Sequence, residues 1–127
     1  MNYYNSNMKF FVSSVKHAIH GLRYVFFHEK NFRIHIYIAI VAVIAMYSFS
    51  IPLYEKIIVW VLIIFVLVLE LLNTAFEKIL DILKPRLHSG VGVIKDIVAA
   101  AVFIAALFAF IFGCVVFFPY IIELFGR

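Results

Sequence analysis

Thirteen consecutive apolar residues, Ile57 to Leu69, run without interruption into Glu70, Asn73, Glu77 and Asp81. No other stretch restricts the chain so tightly. The segment from Tyr54 to Pro85, YEKIIVWVLIIFVLVLELLNTAFEKILDILKP, begins as a membrane span and ends as something else. Its polar residues fall 3, 7 and 11 positions after Glu70. On a helix of about 3.6 residues per turn, that spacing puts all four on one face.

Depth sharpens the conflict. If Lys56 marks one membrane interface, Glu70 lies about 20 Å farther along the axis, inside an apolar slab roughly 30 Å thick. Glu77 follows about 10 Å later, near the headgroups. A carboxylate at mid-membrane costs on the order of 2.5–3.5 kcal/mol on insertion scales, so it is normally buried in a bundle and functional. The stripe therefore links an acid at lipid depth to one at water depth.

Composition agrees. Of 127 residues, 66% are hydrophobic and only 14% charged, which a soluble domain of this size would not need. The expectation is a single integral-membrane domain of all-α class, covering residues 1–127. The N-terminal MNYYNSNMKFF is polar, aromatic and basic, and it is expected not to be a cleavable signal. Cys114, the one cysteine, sits in an apolar run and is read as core packing.

Taken in order, residues 9–30 read as an amphipathic helix lying in the interface. Val12, Val15, Ile19, Leu22 and Phe26 share one face, and Lys9, Lys16, Arg23 and Lys30 recur every seven residues on another. Gly21 reads as a packing contact. Three membrane helices follow at about 33–51, 53–84 and 89–120, with Pro52 suited to the first position of the second. Pro85 ends that helix, and Ser89, Gly90 and Gly92 suit a turn into the third, whose AAAVFIAALFAFIFG segment carries small residues for close helix approach.

Basic residues set the orientation. Nine of eleven (Lys9, Lys16, Arg23, Lys30, Arg33, Lys78, Lys84, Arg86 and Lys95) fall on the side of the N-terminus and second loop, which is therefore expected to be cytoplasmic. Five of the seven acids, Glu29, Glu70, Glu77, Asp81 and Asp96, approach the same side. Positive-inside bias does not require acids there, so their clustering has another cause. No basic–aromatic loop suits nucleic acid. His28 and His35 have no partner at zinc-ligand spacing and read as interfacial.

Acids near Lys84, Arg86, His88 and Lys95 suggest a divalent metal with phosphate, since Mg²⁺ is usually held by one or two carboxylates plus substrate oxygens. No P-loop or kinase-type glycine loop occurs in the sequence, and Gly90-Val91-Gly92 is a weak phosphate signal. Three readings compete: a lipid kinase, a proton- or cation-conducting bundle, and a subunit whose polar stripe joins helices. A pore predicts acids through the full thickness, yet residues 57–69 and 97–120 have none. That asymmetry favours the kinase.

At ELLNTAFEKILD, Glu70 to Asp81, the sequence resembles the signature of the small prokaryotic diacylglycerol kinase and undecaprenol kinase family. Similarity continues at Lys95-Asp96, at Ala99 to Val102 and at Glu29 to His35, and it covers nearly the whole chain. The resemblance implies γ-phosphoryl transfer from Mg-ATP to a membrane lipid hydroxyl, by a homotrimer in the bacterial inner membrane with sites between subunits. It implies Glu70 as catalytic base, Glu29 and Glu77 as carboxylates for Mg²⁺ and nucleotide, and Arg86, His88, Lys95 and Asp96 as nucleotide contacts. Asn73, Asp81 and Ala99 support the reacting centre on the acceptor side. Residues 29–35 look more like the undecaprenol branch than the diacylglycerol branch. Departures from the pattern are Leu87 where tyrosine is common, Lys78 in place of a small apolar residue, the basic Lys84-Pro85-Arg86, and His17 where an aromatic ring is usual in some members.

Overall fold

A computed structural model describes residues 3–83 and 90–126, with side chains from Met8 onward. It is all-helical: α1 (Tyr3–His28), α2 (Lys30–Ser48), α3 (Leu53–Leu83) and α4 (Val91–Phe125). The last three are long and apolar enough to cross a membrane. At about 1.5 Å per residue, α2 matches a bilayer core of roughly 30 Å, whereas α3 and α4 exceed it by about 15 Å or more. The surplus length carries polar chemistry beyond the apolar slab.

A break at Glu29 separates α1 from α2. Its backbone is extended (φ −108°, ψ 116°), and its N–H still closes the last turn of α1 on the Val25 carbonyl at 2.8 Å. Lys30, expected to complete the basic series of the first helix, is instead the first residue of α2. Arg33 explains why the chain can stop there. Its Nη1 donates to the Phe26 and Phe27 carbonyls at 3.1 and 3.0 Å, satisfying acceptors that a helix end leaves open. From Met8 to Tyr24 every side chain is exposed, and α1 meets the other described helices only near its C-terminal end, where Val25 is buried and Phe26 half-buried. Gly21 is not a packing contact: a methyl group placed on it would meet nothing within 4 Å.

At the opposite end, Phe49 donates its N–H to Ala45 O at 2.9 Å, and Ser50 takes a left-handed φ of 53° to turn the chain. Pro52 stands one residue before α3, and its carbonyl accepts the Lys56 N–H at 3.1 Å. The main apolar core sits at this end. Met46, Ile51 and Val59 are buried and pack with Phe49, Ile63, Val116 and Phe117. Glu55 bridges helices here, accepting hydrogen bonds from Tyr120 Oη at 2.7 Å and Tyr54 Oη at 3.0 Å. α4 continues through Pro119 to Phe125, beyond the expected end at 120. Proline holds a helical φ and forfeits one donor, a loss that membrane helices tolerate.

Met46 is fully enclosed. Met46→Ala should lower stability by about 2 kcal/mol, the low end for such truncations, because lipid removes most of the transfer contribution and leaves the cavity. Denaturing-detergent titration of the purified protein measures it.

Between Ile97 and Tyr120, α4 carries no charge and shows no dominant face in sequence. Val102 and Ala105 turn inward, while Ala99, Ala100 and Ala101 are exposed. Cys114 is exposed too, rather than packed in the core. An apolar residue on such a helix satisfies lipid as well as it satisfies protein.

Candidate functional site

Along α3 the buried side chains are Val59, Val66, Glu70, Asn73, Thr74 and Leu80. They fall on one helical stripe, so the polar residues continue the inward face begun by valines. Glu70 is 3% exposed and Asn73 8%, while Glu77 is half-buried. Burial thus falls along the acidic face from Glu70 to Glu77, over about 10 Å of helix. The two acids share a face. Asn73 joins them, donating from Nδ2 to Glu77 Oε1 at 3.2 Å.

Asn73 Oδ1 is buried and accepts no hydrogen bond from the described residues. A buried acceptor left so is costly, on the order of 1–3 kcal/mol, and such groups cluster where ligands or water complete them. Thr74, 4% exposed, was not distinguished by the sequence reading. Its signal was available, since it follows Glu70 by four residues on the same face.

Glu29 reaches this region from the α1–α2 corner. Glu70 lies near enough to Glu77 and Glu29 for their negative charges to act on it. Glu29 Oε1 pairs with Lys78 Nζ at 3.3 Å, and that ammonium lies 6.0 Å from the Tyr24 ring centroid. On the other flank, Lys95 of α4 donates to Asp81 Oδ1 at 2.6 Å. Lys95 therefore arrives at the acidic helix, paired with one of its carboxylates. Asp96 and Ala99 are exposed on α4, and Asp81 is exposed on α3. Arg86 and His88, together with Lys84, Pro85, Leu87 and Ser89, lie outside the described residues.

Among the described residues, no three histidine, cysteine or acidic side chains converge as a metal cage. The donor set still suits Mg²⁺, which keeps waters and takes one or two carboxylates together with substrate phosphates. Glu77, half-buried on α3, and Glu29, half-buried at the α1–α2 corner, would supply two such carboxylates. Lysines beside them add positive charge for an anionic ligand.

Three long apolar helices with a carboxylate cluster at one end define a polytopic membrane protein with a buried-acid site. Residues 16–117 match the prokaryotic diacylglycerol kinase family, and the chain belongs to it. A diacylglycerol kinase of Synechocystis sp. is 35% identical over 115 residues, covering 87% of this chain. The chain spans 64% of that relative's length. An undecaprenol kinase of Bacillus subtilis is 33% identical over 115 residues, covering 91% of this chain and 93% of the relative. A diacylglycerol kinase of Haemophilus influenzae is 28% identical over 117 residues, covering 91% and 99%. The family is one of lipid kinases, which makes the chain a member of an enzyme family.

Proposed function

We propose that this protein transfers the γ-phosphate of Mg-ATP to the hydroxyl of a membrane lipid alcohol, with undecaprenol preferred over diacylglycerol. The observation that carries the reading is the placement of buried Glu70 two helical turns from half-buried Glu77 on one face of α3. A lipid hydroxyl lies at the depth of the first, and a nucleotide phosphate at the depth of the second.

In this mechanism Glu70 accepts the proton of the lipid hydroxyl as its oxygen attacks the γ-phosphorus. The bond from that phosphorus to the bridging oxygen breaks, and ADP leaves. Little covalent work falls to the protein, so rate comes from position and charge. Glu70, buried at the depth of the hydroxyl, is the carboxylate placed to take that proton. Asn73 orients Glu77 through its 3.2 Å hydrogen bond. Glu29 and Glu77 would hold Mg²⁺, which when bound neutralises phosphate charge. Arg86, His88, Lys95 and Asp96 would contact the nucleotide, with Asp81 and Ala99 supporting the centre.

The same reading makes α1 an interfacial helix, supported by its exposed apolar and basic faces. It places the N-terminus and second loop in the cytoplasm. It also makes the working unit a homotrimer, because Asp81 and Asp96 stay exposed and the helices of one chain do not shield every acid from lipid. Undecaprenol is favoured by the Glu29-to-His35 run, and relatives of both names share the chain's framework.

Labelled-ATP transfer to undecaprenol and to diacylglycerol, side by side with purified protein in lipid, tests both levels. Faster labelling of undecaprenol is expected. Faster labelling of diacylglycerol would overturn the acceptor, and no labelling of either would overturn the kinase.

A further inference from the structure

Glu29 occupies the position that caps α2, where an acidic side chain ordinarily accepts a backbone N–H of the first turn and is stabilised by the helix dipole. It makes no such capping bond. Its carboxylate turns instead toward α3, where Lys78 Nζ meets Oε1 at 3.3 Å. The same ammonium lies over Tyr24, in the last turns of α1. Contact between α1 and α3 is otherwise slight, and Val25 is the buried residue of the described part of α1. One lysine thus ties the α1–α2 corner to the acidic helix. It follows Glu77 directly in sequence on α3.

We propose that Lys78 is a positioning residue for nucleotide binding: it draws the Glu29 carboxylate away from its capping place and holds it beside Glu77. This rests on the reading of Glu29 and Glu77 as the carboxylates of the Mg-nucleotide site. Lys78 then acts through Glu29 and not on the phosphates. With the lysine removed, Glu29 returns to the start of α2, and the site has one carboxylate fewer in place.

The test uses the full chain in lipid nanodiscs, with Mn²⁺ and a non-hydrolysable ATP analogue followed by electron paramagnetic resonance. Lys78→Met keeps the side-chain stem but removes the charge. Affinity should fall roughly two- to fivefold, the range for a half-exposed ion pair. Lys78→Arg should restore it. In turnover, KM for Mg-ATP should rise while kcat at saturating nucleotide holds. The decisive arm is Glu29→Gln with and without Lys78→Met, where the double variant should bind no more weakly than Glu29→Gln alone.

Unchanged affinity in Lys78→Met overturns the proposal. So does an equal further loss on the Glu29→Gln background, which would assign Lys78 to the phosphates. If Glu29→Gln itself binds as tightly as the native chain, the nucleotide role of Glu29 fails, and this inference falls with it. Should Lys78→Met assemble poorly, Lys78→Gln makes the same comparison.

Discussion

Glu70→Gln is expected to lower lipid phosphorylation by about 10²- to 10⁴-fold, the range contributed by a positioned general base. The amide has the size of the carboxylate and fits the same enclosed place, which is only 3% exposed. It cannot take up the hydroxyl proton. Packing should survive, because removing a charge from a low-dielectric setting relieves desolvation. Helix content, membrane insertion and oligomer size should therefore match the native chain while labelled-phosphate transfer collapses. Retained transfer would remove Glu70 from the chemistry. Loss of transfer together with loss of assembly would mark it as structural.

Glu77→Gln has the second-largest expected effect, and of a different kind. The introduced amide would still offer an oxygen to Asn73 Nδ2, so the contact now at 3.2 Å can persist and the helix should hold its register. What disappears is negative charge at the wetter end of the stripe. The Mg-ATP concentration for half-maximal rate should rise roughly tenfold or more, as for loss of a charged partner worth about 1.5–3 kcal/mol. Saturating Mg-ATP should recover much of the rate, which Glu70→Gln would not allow. Nucleotide titrations at several fixed Mg²⁺ concentrations separate the two variants. An unchanged requirement for Mg-ATP would take Glu77 out of the nucleotide site.

The opposed effects follow from burial along one helix. On the proposed mechanism, depth assigns Glu70 to a lipid alcohol and Glu77 to a water-soluble phosphate, and Asn73 lies between them in sequence. Its buried Oδ1 accepts no hydrogen bond from the described residues. The apolar core around Met46 lies at the far end of the bundle, fastened by the Glu55–Tyr120 hydrogen bond. If the chemistry lies at the acidic end as proposed, Met46→Ala should weaken the fold without altering nucleotide affinity.

Much of this was legible in the residues. Apolar runs too long for a soluble core gave three helices able to span a membrane, and a stripe at offsets of 3, 7 and 11 gave the polar face of α3, of which Glu70 and Asn73 turn inward and Asp81 stays exposed. Both depend on helical periodicity, which is local and needs no knowledge of neighbours. Element ends were less legible. Helix α1 stops at His28 because Arg33, five residues later, caps it across a corner, and α4 runs past Pro119 because proline there forfeits a single hydrogen bond.

The sequence by itself determined which helix bears the acids and which way they face, because backbone geometry fixes the angle between residues on one helix. Tertiary structure alone decided their partners: Lys78 with Glu29, Lys95 with Asp81, Tyr120 with Glu55. It also decided that Cys114 and the alanines at 99–101 turn outward. The physical reason is that an all-apolar helix presents no preferred side to lipid or protein. Its rotation is set by what packs against it, and that depends on residues far away in the chain.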